Sequence, residues 1–249
     1  MILGQPWAFP ARDPFAYILD ERRGPVRRDL TDLTVVLDRS GSMEACREEA
    51  ENGLNHLVEK QKAEPGDAIF TLVQFDTEYE FVHRGVPIRE VPHCRLVPRG
   101  MTALLDAVGR SIAEAGERLK TMAERERPGL VVFVIVTDGQ ENSSHEFTKP
   151  QIRKMIEHQQ TVEGWKFVFL GANQDAFAEA QGLGIAPGGV ANYTPSKSDV
   201  AWHVTSSSLS RLRGALSSGE SVSLDFGPEE RRAMNEPDEG GAGPVAGPG

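Results

Sequence analysis

Three small oxygen-bearing side chains follow a run of branched apolar residues near the start of the chain. The stretch "VVLDRSGSM" spans residues 35–43 and places Asp38, Ser40 and Ser42 at alternate positions. This pattern has three interpretations: a nucleophile, an ordinary polar turn, and ligands for a hard cation. The choice depends on which other oxygen-bearing residues the fold brings to the same place.

Two further stretches end in residues of the same chemical kind. "PRGMTALLDAV" places Thr102 just before a long helical pattern, and "IVTDGQENSS" places Asp138 at the end of the most apolar strand. With the first stretch they offer two carboxylates and three hydroxyls. Hard oxygen donors with a total charge of about −2 favour Mg²⁺, Mn²⁺ or Ca²⁺ over zinc or copper. A donor set that is mostly neutral leaves the ion able to accept a carboxylate from outside.

The elements that position these residues can be predicted from hydrophobic patterning. Four nearly continuous apolar runs predict strands buried on both faces: "TDLTVVLD", "DAIFTLVQFD", "GLVVFVIVTDG" and "WKFVFLGAN". The more polar "EYEFVHRGVPI" follows a tight turn and predicts an antiparallel edge strand, and a weak strand is predicted at 189–193. Helices are predicted over 44–63, 103–124, 149–162, 173–182 and from residue 196 onward.

Strands that alternate with helices predict an α/β fold: a doubly wound, Rossmann-like, mostly parallel central sheet flanked by helices. In such sheets ligands bind beyond the carboxyl ends of the strands, where the strand order reverses. The domain organisation predicted is an N-terminal arm over 1–29, one domain over 30–216, and a largely disordered tail rich in Ser, Gly, Pro and acids over 217–249.

These residues resemble the von Willebrand factor type A (VWA) domain, whose metal-ion-dependent adhesion site has the form Asp-x-Ser-x-Ser, then a distant Thr and a distant Asp. The matching positions are Asp38, Ser40, Ser42, Thr102 and Asp138. The phrases "DRSGSM", "GMTALLDAV" and "VTDGQEN" look most like intracellular bacterial members. The resemblance implies that a metal held by these five residues binds a partner protein that presents an Asp or Glu, without catalysis. It also implies that subunits of ATPase-driven complexes are relatives.

Composition and patterning argue against several other classes of function and location. The formal net charge is −10, which disfavours binding to nucleic acid or to an anionic membrane surface. No run reaches the roughly 18 apolar residues of a membrane span, and the N-terminus lacks a secretory signal pattern. The two cysteines fit a reducing compartment. We therefore expect a cytoplasmic protein.

Some alternatives stay open at this stage. A Mg²⁺-dependent aspartyl-phosphate phosphatase also has a strand that ends in Asp, but position 40 is serine where its general acid would stand. An acidic residue of the tail could reach a neighbouring molecule's metal, which predicts metal-dependent self-association. Of the residues near the site, Arg39 is expected to be solvated and Asp76 to be a turn residue. Four polar side chains are hypothesised to line the site and contact a partner: Asn142, Ser143, Asn173 and Gln174.

Overall fold

The computed structural model describes residues 26–172, 176–220 and 223–235. A six-stranded sheet forms the centre of this part of the chain, in the order β3-β2-β1-β4-β5-β6. Only β3 runs antiparallel to its neighbour; the other pairings are parallel. The strands are β1 (Arg27–Asp38), β2 (Asp67–Phe75), β3 (Tyr79–Pro87), β4 (Pro128–Thr137), β5 (Lys166–Ala172) and β6 (Val190–Tyr193).

Helices cover both faces of the sheet because the apolar side chains of each inner strand alternate between two cores. In β1, for example, Val35 and Leu37 face one core and Val36 faces the other. The first core contains apolar residues of α1, α5 and α6, and the second those of α2, α3 and α4. The helices are α1 (Arg47–Ala63), α2 (Leu104–Thr121), α3 (Lys149–Thr161), α4 (Ala176–Gly182), α5 (Ser198–Ser218) and α6 (Pro228–Asn235).

The strand order reverses between β1 and β4. After β1 the chain adds β2 and β3 on one side, and it then crosses back to add β4, β5 and β6 on the other. The two strands lie side by side, with Leu37 paired to Val136, so their carboxyl ends meet at one edge of the sheet. The reversal makes this edge the expected ligand-binding position of a doubly wound sheet.

Close packing of α1 against α5 depends on one glycine. Gly53 is buried in the middle of α1, and a Cβ atom built on it would lie 2.1 Å from Cδ1 of Trp202 on α5. Trp202 is one of the largest fully buried side chains in the described part of the chain. The glycine therefore makes room for an indole in the core.

The segment after α5 differs from the sequence expectation. Part of the region predicted to be disordered from residue 217 is packed: α5 continues to Ser218, α6 follows at Pro228–Asn235, and Phe226 and Met234 are buried in the first core. The Arg231 guanidinium donates hydrogen bonds to the carbonyls of Val190, Pro187 and Gly188, which fixes α6 beside β6. The rest of the predicted tail, 236–249, lies outside the described residues.

The fold class predicted from the sequence, including the antiparallel edge strand, is confirmed. Element boundaries differ in places. The helix predicted to start at residue 44 is a 3-10 turn over Gly41–Cys46 followed by α1, residues 195–197 form a 3-10 turn before α5, and β1 begins at Arg27 inside the predicted arm. The remainder of that arm, 1–25, lies outside the described residues. Within the described ranges, no helix is long and apolar enough to cross a membrane.

Candidate metal centre at the carboxyl edge of the sheet

Asp38 is the last residue of β1 and is fully buried. One carboxylate oxygen accepts a hydrogen bond from the backbone N–H of Ser40 at 2.6 Å, and the other accepts one from the hydroxyl of Thr137 at 2.6 Å. Thr137 ends β4, so this second bond ties the two strand ends together. Asp38 thus lies beneath the site, where it orients the loop that carries the two serines.

The two serines and Asp138 form a chain of oxygen atoms above Asp38. The hydroxyls of Ser40 and Ser42 lie 3.1 Å apart, and the Ser42 hydroxyl donates to the Asp138 carboxylate at 2.7 Å. Ser40 is buried, whereas Ser42 is exposed and Asp138 is partly exposed. These oxygens therefore form a cluster that opens to solvent on its outer side.

Thr102 completes the cluster through the close approach of Gly139. A Cβ atom built on Gly139 would lie 3.2 Å from the Thr102 hydroxyl and 3.5 Å from that of Ser42. A larger side chain at position 139 would crowd the space between these two hydroxyls. Among the described residues, the Thr102 hydroxyl makes no side-chain hydrogen bond, so it is available as a ligand.

The loop after β4 positions Thr102 by binding the start of α2. The side-chain oxygen of Asn142 accepts a hydrogen bond from the N–H of Thr102 at 2.9 Å, and the N–H groups of Asn142 and Ser143 donate to the Thr102 carbonyl. Glu141 accepts from the N–H of Leu105 in the first turn of α2. Asn142 is exposed, and its side-chain oxygen is engaged within the loop; its contact with a partner stays a prediction.

The other hypothesised contact residues give mixed results. The hydroxyl of Ser143 is buried and has no hydrogen-bond partner among the described residues, so it does not present a polar surface to a partner. Asn173 and Gln174 lie outside the described residues. The sequence analysis did not predict that the loop after β4 holds the start of α2 in place. The stretch "GQENSS" could have indicated this role, because Glu, Asn and Ser can all accept hydrogen bonds from backbone N–H groups at a helix start.

Arg39 and Asp76 form an ion pair behind the site. Contrary to the expectation that Arg39 is solvated, its side chain is 8% exposed, and its Nε donates to Asp76 at 2.8 Å. The Nε of Arg99 donates to the same carboxylate oxygen at 2.8 Å. The Asp76 carbonyl also accepts from the N–H of Ala103, next to Thr102. Asp76 is thus more than a turn residue, since it joins the loop of Ser40 and Ser42 to that of Thr102.

The electrostatics of the two site carboxylates differ from those of Asp76. Burial and, to a smaller extent, the nearby charge of Asp138 together raise the pKa of Asp38 to about 6, against the hydrogen bonds from Thr137 and Ser40. Burial also raises the pKa of Asp138. Within the described ranges, neither carboxylate is ion-paired to a basic side chain. The site therefore has negative charge that no basic side chain of the described ranges neutralises by direct pairing.

These features fit a hard divalent cation. The donors are all oxygen, two carry negative charge, and the cluster is open to solvent on one side. In the described part of the chain, no group of three or more His, Cys, Asp or Glu side chains is placed to hold a metal. Any cation at this edge would therefore depend on hydroxyl ligands from Ser40, Ser42 and Thr102 in addition to the two acids.

Comparison with solved structures identifies the fold of this chain. No family model and no curated protein sequence matches the chain. Among solved structures, a von Willebrand factor type A protein from Catenulispora acidiphila is 13% identical with a TM-score of 0.52, covering 72% of this chain and 42% of that one. Proximal thread matrix protein 1 of the mussel byssus is 18% identical with a TM-score of 0.51, covering 74% of this chain and 45% of that one.

This protein has the fold of a von Willebrand factor type A domain, as the sequence resemblance predicted. The chain spans less than half the length of the two structures to which it is compared. The identities are low, so the comparison shows the fold and leaves the metal and the partner to be inferred from the site itself.

Proposed function

We propose that this protein binds a partner protein through a divalent cation held by Asp38, Ser40, Ser42, Thr102 and Asp138. The observation that carries the proposal is the convergence of five oxygen-bearing side chains, from three separate loops, at the edge where the strand order reverses. The Mg²⁺ ion is the proposed cofactor, with Mn²⁺ and Ca²⁺ as substitutes of the same ligand preference. The fold of VWA domains supports this proposal.

The residues of the site would coordinate the ion in different ways. Asp138 and the hydroxyl of Ser42 lie on the open side, and with the hydroxyls of the buried Ser40 and Thr102 they would bind the ion directly, whereas the buried Asp38 would act directly or through water. When bound, the ion supplies an electrophilic position that accepts an oxygen ligand. Because three of the five ligands are neutral hydroxyls, the two carboxylates do no more than offset the charge of the ion, and its open position can still accept a carboxylate oxygen of the partner.

Catalysis is not part of the proposal. Both oxygens of the Asp38 carboxylate accept hydrogen bonds from the protein, and the side chain is fully buried, which does not suit a nucleophile that must attack a phosphoryl group. Purified protein with Mg²⁺ should therefore not hydrolyse a generic phosphate ester. Turnover that Asp38→Asn abolishes would favour the phosphatase instead.

The partner and the compartment remain proposals. A partner that presents an Asp or Glu is the simplest ligand for the ion, and an acidic residue of a second copy is the alternative that predicts metal-dependent self-association. The protein could also act as a non-catalytic subunit of an ATPase-driven complex, because such a subunit would bind its partner by the same metal-dependent chemistry. A cytoplasmic location agrees with the two free, buried cysteines.

Thr102→Ala tests the proposal because it removes one neutral ligand and leaves the packed start of α2. The matched control is Thr121→Ala, the same substitution at the other end of that helix, where the exposed hydroxyl donates to the Arg118 carbonyl. We expect Mg²⁺ to raise the melting temperature of wild type and of Thr121→Ala, and less so of Thr102→Ala. Partner capture from native extract should require Mg²⁺ and should weaken about tenfold in Thr102→Ala, a free-energy loss of about 1.4 kcal/mol.

Two outcomes would contradict the proposal. A metal-induced shift that survives in the double variant Asp38→Ala, Asp138→Ala would place the ion elsewhere. Partner binding that survives a chelator, falls steeply with NaCl and is unaffected by Thr102→Ala would indicate surface charge pairing, which salt screens, rather than metal coordination.

A further inference from the structure

The most exposed large apolar side chains of the described chain lie beside the candidate metal site. Val97 is 66% exposed and Met101 is 50% exposed, and both belong to the segment Val97–Met101 that immediately precedes Thr102. The other exposed large apolar side chains of the described residues belong to four separate parts of the sequence: Val26, Val82, Val162 and Phe177. Two exposed apolar side chains within five residues, beside the proposed ligand Thr102, indicate an interaction surface.

Hydrogen bonds hold this segment against the loop of the two serines. The N–H of Arg99 donates to the Arg39 carbonyl at 2.7 Å, and the N–H of Gly41 donates to the Gly100 carbonyl at 3.2 Å. The buried Leu96 anchors the segment at its start, where its N–H donates to Glu51. The segment is therefore fixed before any partner arrives, and its apolar side chains are displayed at little further entropic cost.

The same stretch is basic in an acidic protein. Residues 91–101 contain His93, Arg95 and Arg99 and no acid, whereas the whole chain has a formal net charge of −10. The Arg99 guanidinium is engaged by Asp76 and Glu78. Arg95 is exposed, and burial alternates from Cys94 to Val97, which places Arg95 and Val97 on the same outer side of the stretch.

We infer that the segment Val97–Met101, with Arg95, forms a second contact surface that selects the partner of the metal site. The occupant is a protein segment in which the metal-binding Asp or Glu has, on one side of it, an apolar side chain and a further acid. The apolar side chain packs on Val97 and Met101, and the further acid pairs with Arg95. This inference rests on the proposed function, because the metal-bound carboxylate fixes the position of the rest.

A displayed peptide library tests the inference. The library has a fixed Asp with randomised residues on both sides, and it is selected on the full chain with Mg²⁺ and, separately, with chelator. We expect Mg²⁺-dependent enrichment of apolar and acidic residues on one side of the fixed Asp. A selected synthetic peptide should bind about tenfold more tightly than its counterpart with glycine at the apolar position, the amount expected for partial burial of one large apolar side chain.

Variants assign the preference to this surface. The double variant Val97→Ser, Met101→Ser should abolish the tenfold preference for the apolar residue. Arg95→Gln should remove the preference for the second acid. The matched control is Val162→Ser, since Val162 is 46% exposed and follows α3 at the opposite edge of the sheet, before β5 begins. It should leave both preferences unchanged.

The possible results separate the inference from the proposed function. Mg²⁺-dependent selection of the fixed Asp without flanking preference overturns the inference alone, as does a preference that survives in the Val97, Met101 double variant. Selection that is indifferent to Mg²⁺, or no selection at all, overturns the proposed function and the inference with it. Enrichment of basic flanking residues would also overturn the inference, because it contradicts the charge of the segment.

Discussion

Replacing Asp76 with asparagine removes one negative charge from behind the metal site and changes little in size. The carboxylate accepts hydrogen bonds from the Nε atoms of Arg39 and Arg99, both at 2.8 Å, and from the N–H of Glu78 at 2.7 Å. Its side chain is 2% exposed. The substitution therefore leaves the buried Arg39 without its only buried counter-charge among the described residues.

The expected loss of stability follows from the burial of Arg39. Removing one partner of a buried ion pair costs about 3–5 kcal/mol, because the remaining charge stays desolvated. Arg39 retains Glu80 at 2.7 Å, although that carboxylate is 58% exposed, and asparagine retains an oxygen that can accept a hydrogen bond. We therefore expect the lower end, about 3 kcal/mol in the free energy of unfolding, from a domain total of about 5–15 kcal/mol.

The effect should depend on pH in a defined direction. Burial alone would raise the pKa of Asp76, but the hydrogen bonds from two guanidinium groups and a backbone N–H outweigh it and lower that pKa. A group whose pKa is depressed on folding stabilises the protein above its unfolded pKa, about 3.9 for Asp, and this stabilisation disappears as the pH falls through the folded value. The difference between Asp76→Asn and wild type should thus be full near neutral pH and shrink below about pH 4.

Urea unfolding in the presence of chelator, followed by circular dichroism at several pH values, measures this difference without any contribution from metal. The matched control is Glu78→Gln, because Glu78 is 77% exposed and its pair with Arg99 lies on the surface. That control should cost about 0–1 kcal/mol. If Asp76→Asn costs no more than Glu78→Gln at neutral pH, the buried ion pair does not hold the two ligand loops together and the reasoning is refuted.

Two further changes test the packing of helices in this fold. Gly53→Ala should destabilise the protein by about 1–3 kcal/mol in urea unfolding, because its Cβ would lie 2.1 Å from Trp202 and the overpacking outweighs the gain in helix propensity. Gly116→Ala in α2 is the control: a Cβ there meets nothing within 4 Å, so this change should stabilise the protein by up to about 1 kcal/mol. Deleting 223–249 should lower the melting temperature in a thermal scan, whereas deleting only 236–249 should not, and equal effects would contradict the packing of α6.

Hydrophobic patterning predicted the sheet and the site loops, because both depend on local sequence. The alternation of Asp38, Ser40 and Ser42 directly after an apolar run is visible without any knowledge of the fold, and parallel strands bring their carboxyl ends to one edge. The burial of Arg39 could not be predicted in this way. It depends on Asp76, which lies far along the chain and meets Arg39 only when β1 and β2 pair.

The tail shows a second limit of the sequence. Composition over residues 217–249 is typical of disorder, and this average concealed Phe226 and Met234, two well-spaced apolar residues that are buried in the first core. A few apolar side chains are enough to dock a short helix when the rest of the fold already presents an apolar surface for them. Average composition does not reveal such a surface, because it belongs to β6 and α5 rather than to the tail.

The position of α6 has a consequence for how the protein behaves at high concentration. β6 is the last strand of the sheet, and an open last strand can template the addition of a strand from another molecule. The Arg231 guanidinium occupies carbonyls at and just before the start of β6, and the backbone of Met234 accepts from the N–H of Thr194 just after its end. Loss of this helix would therefore expose the edge strand β6 to pairing with other molecules. A truncated chain should then aggregate as well as unfold more readily.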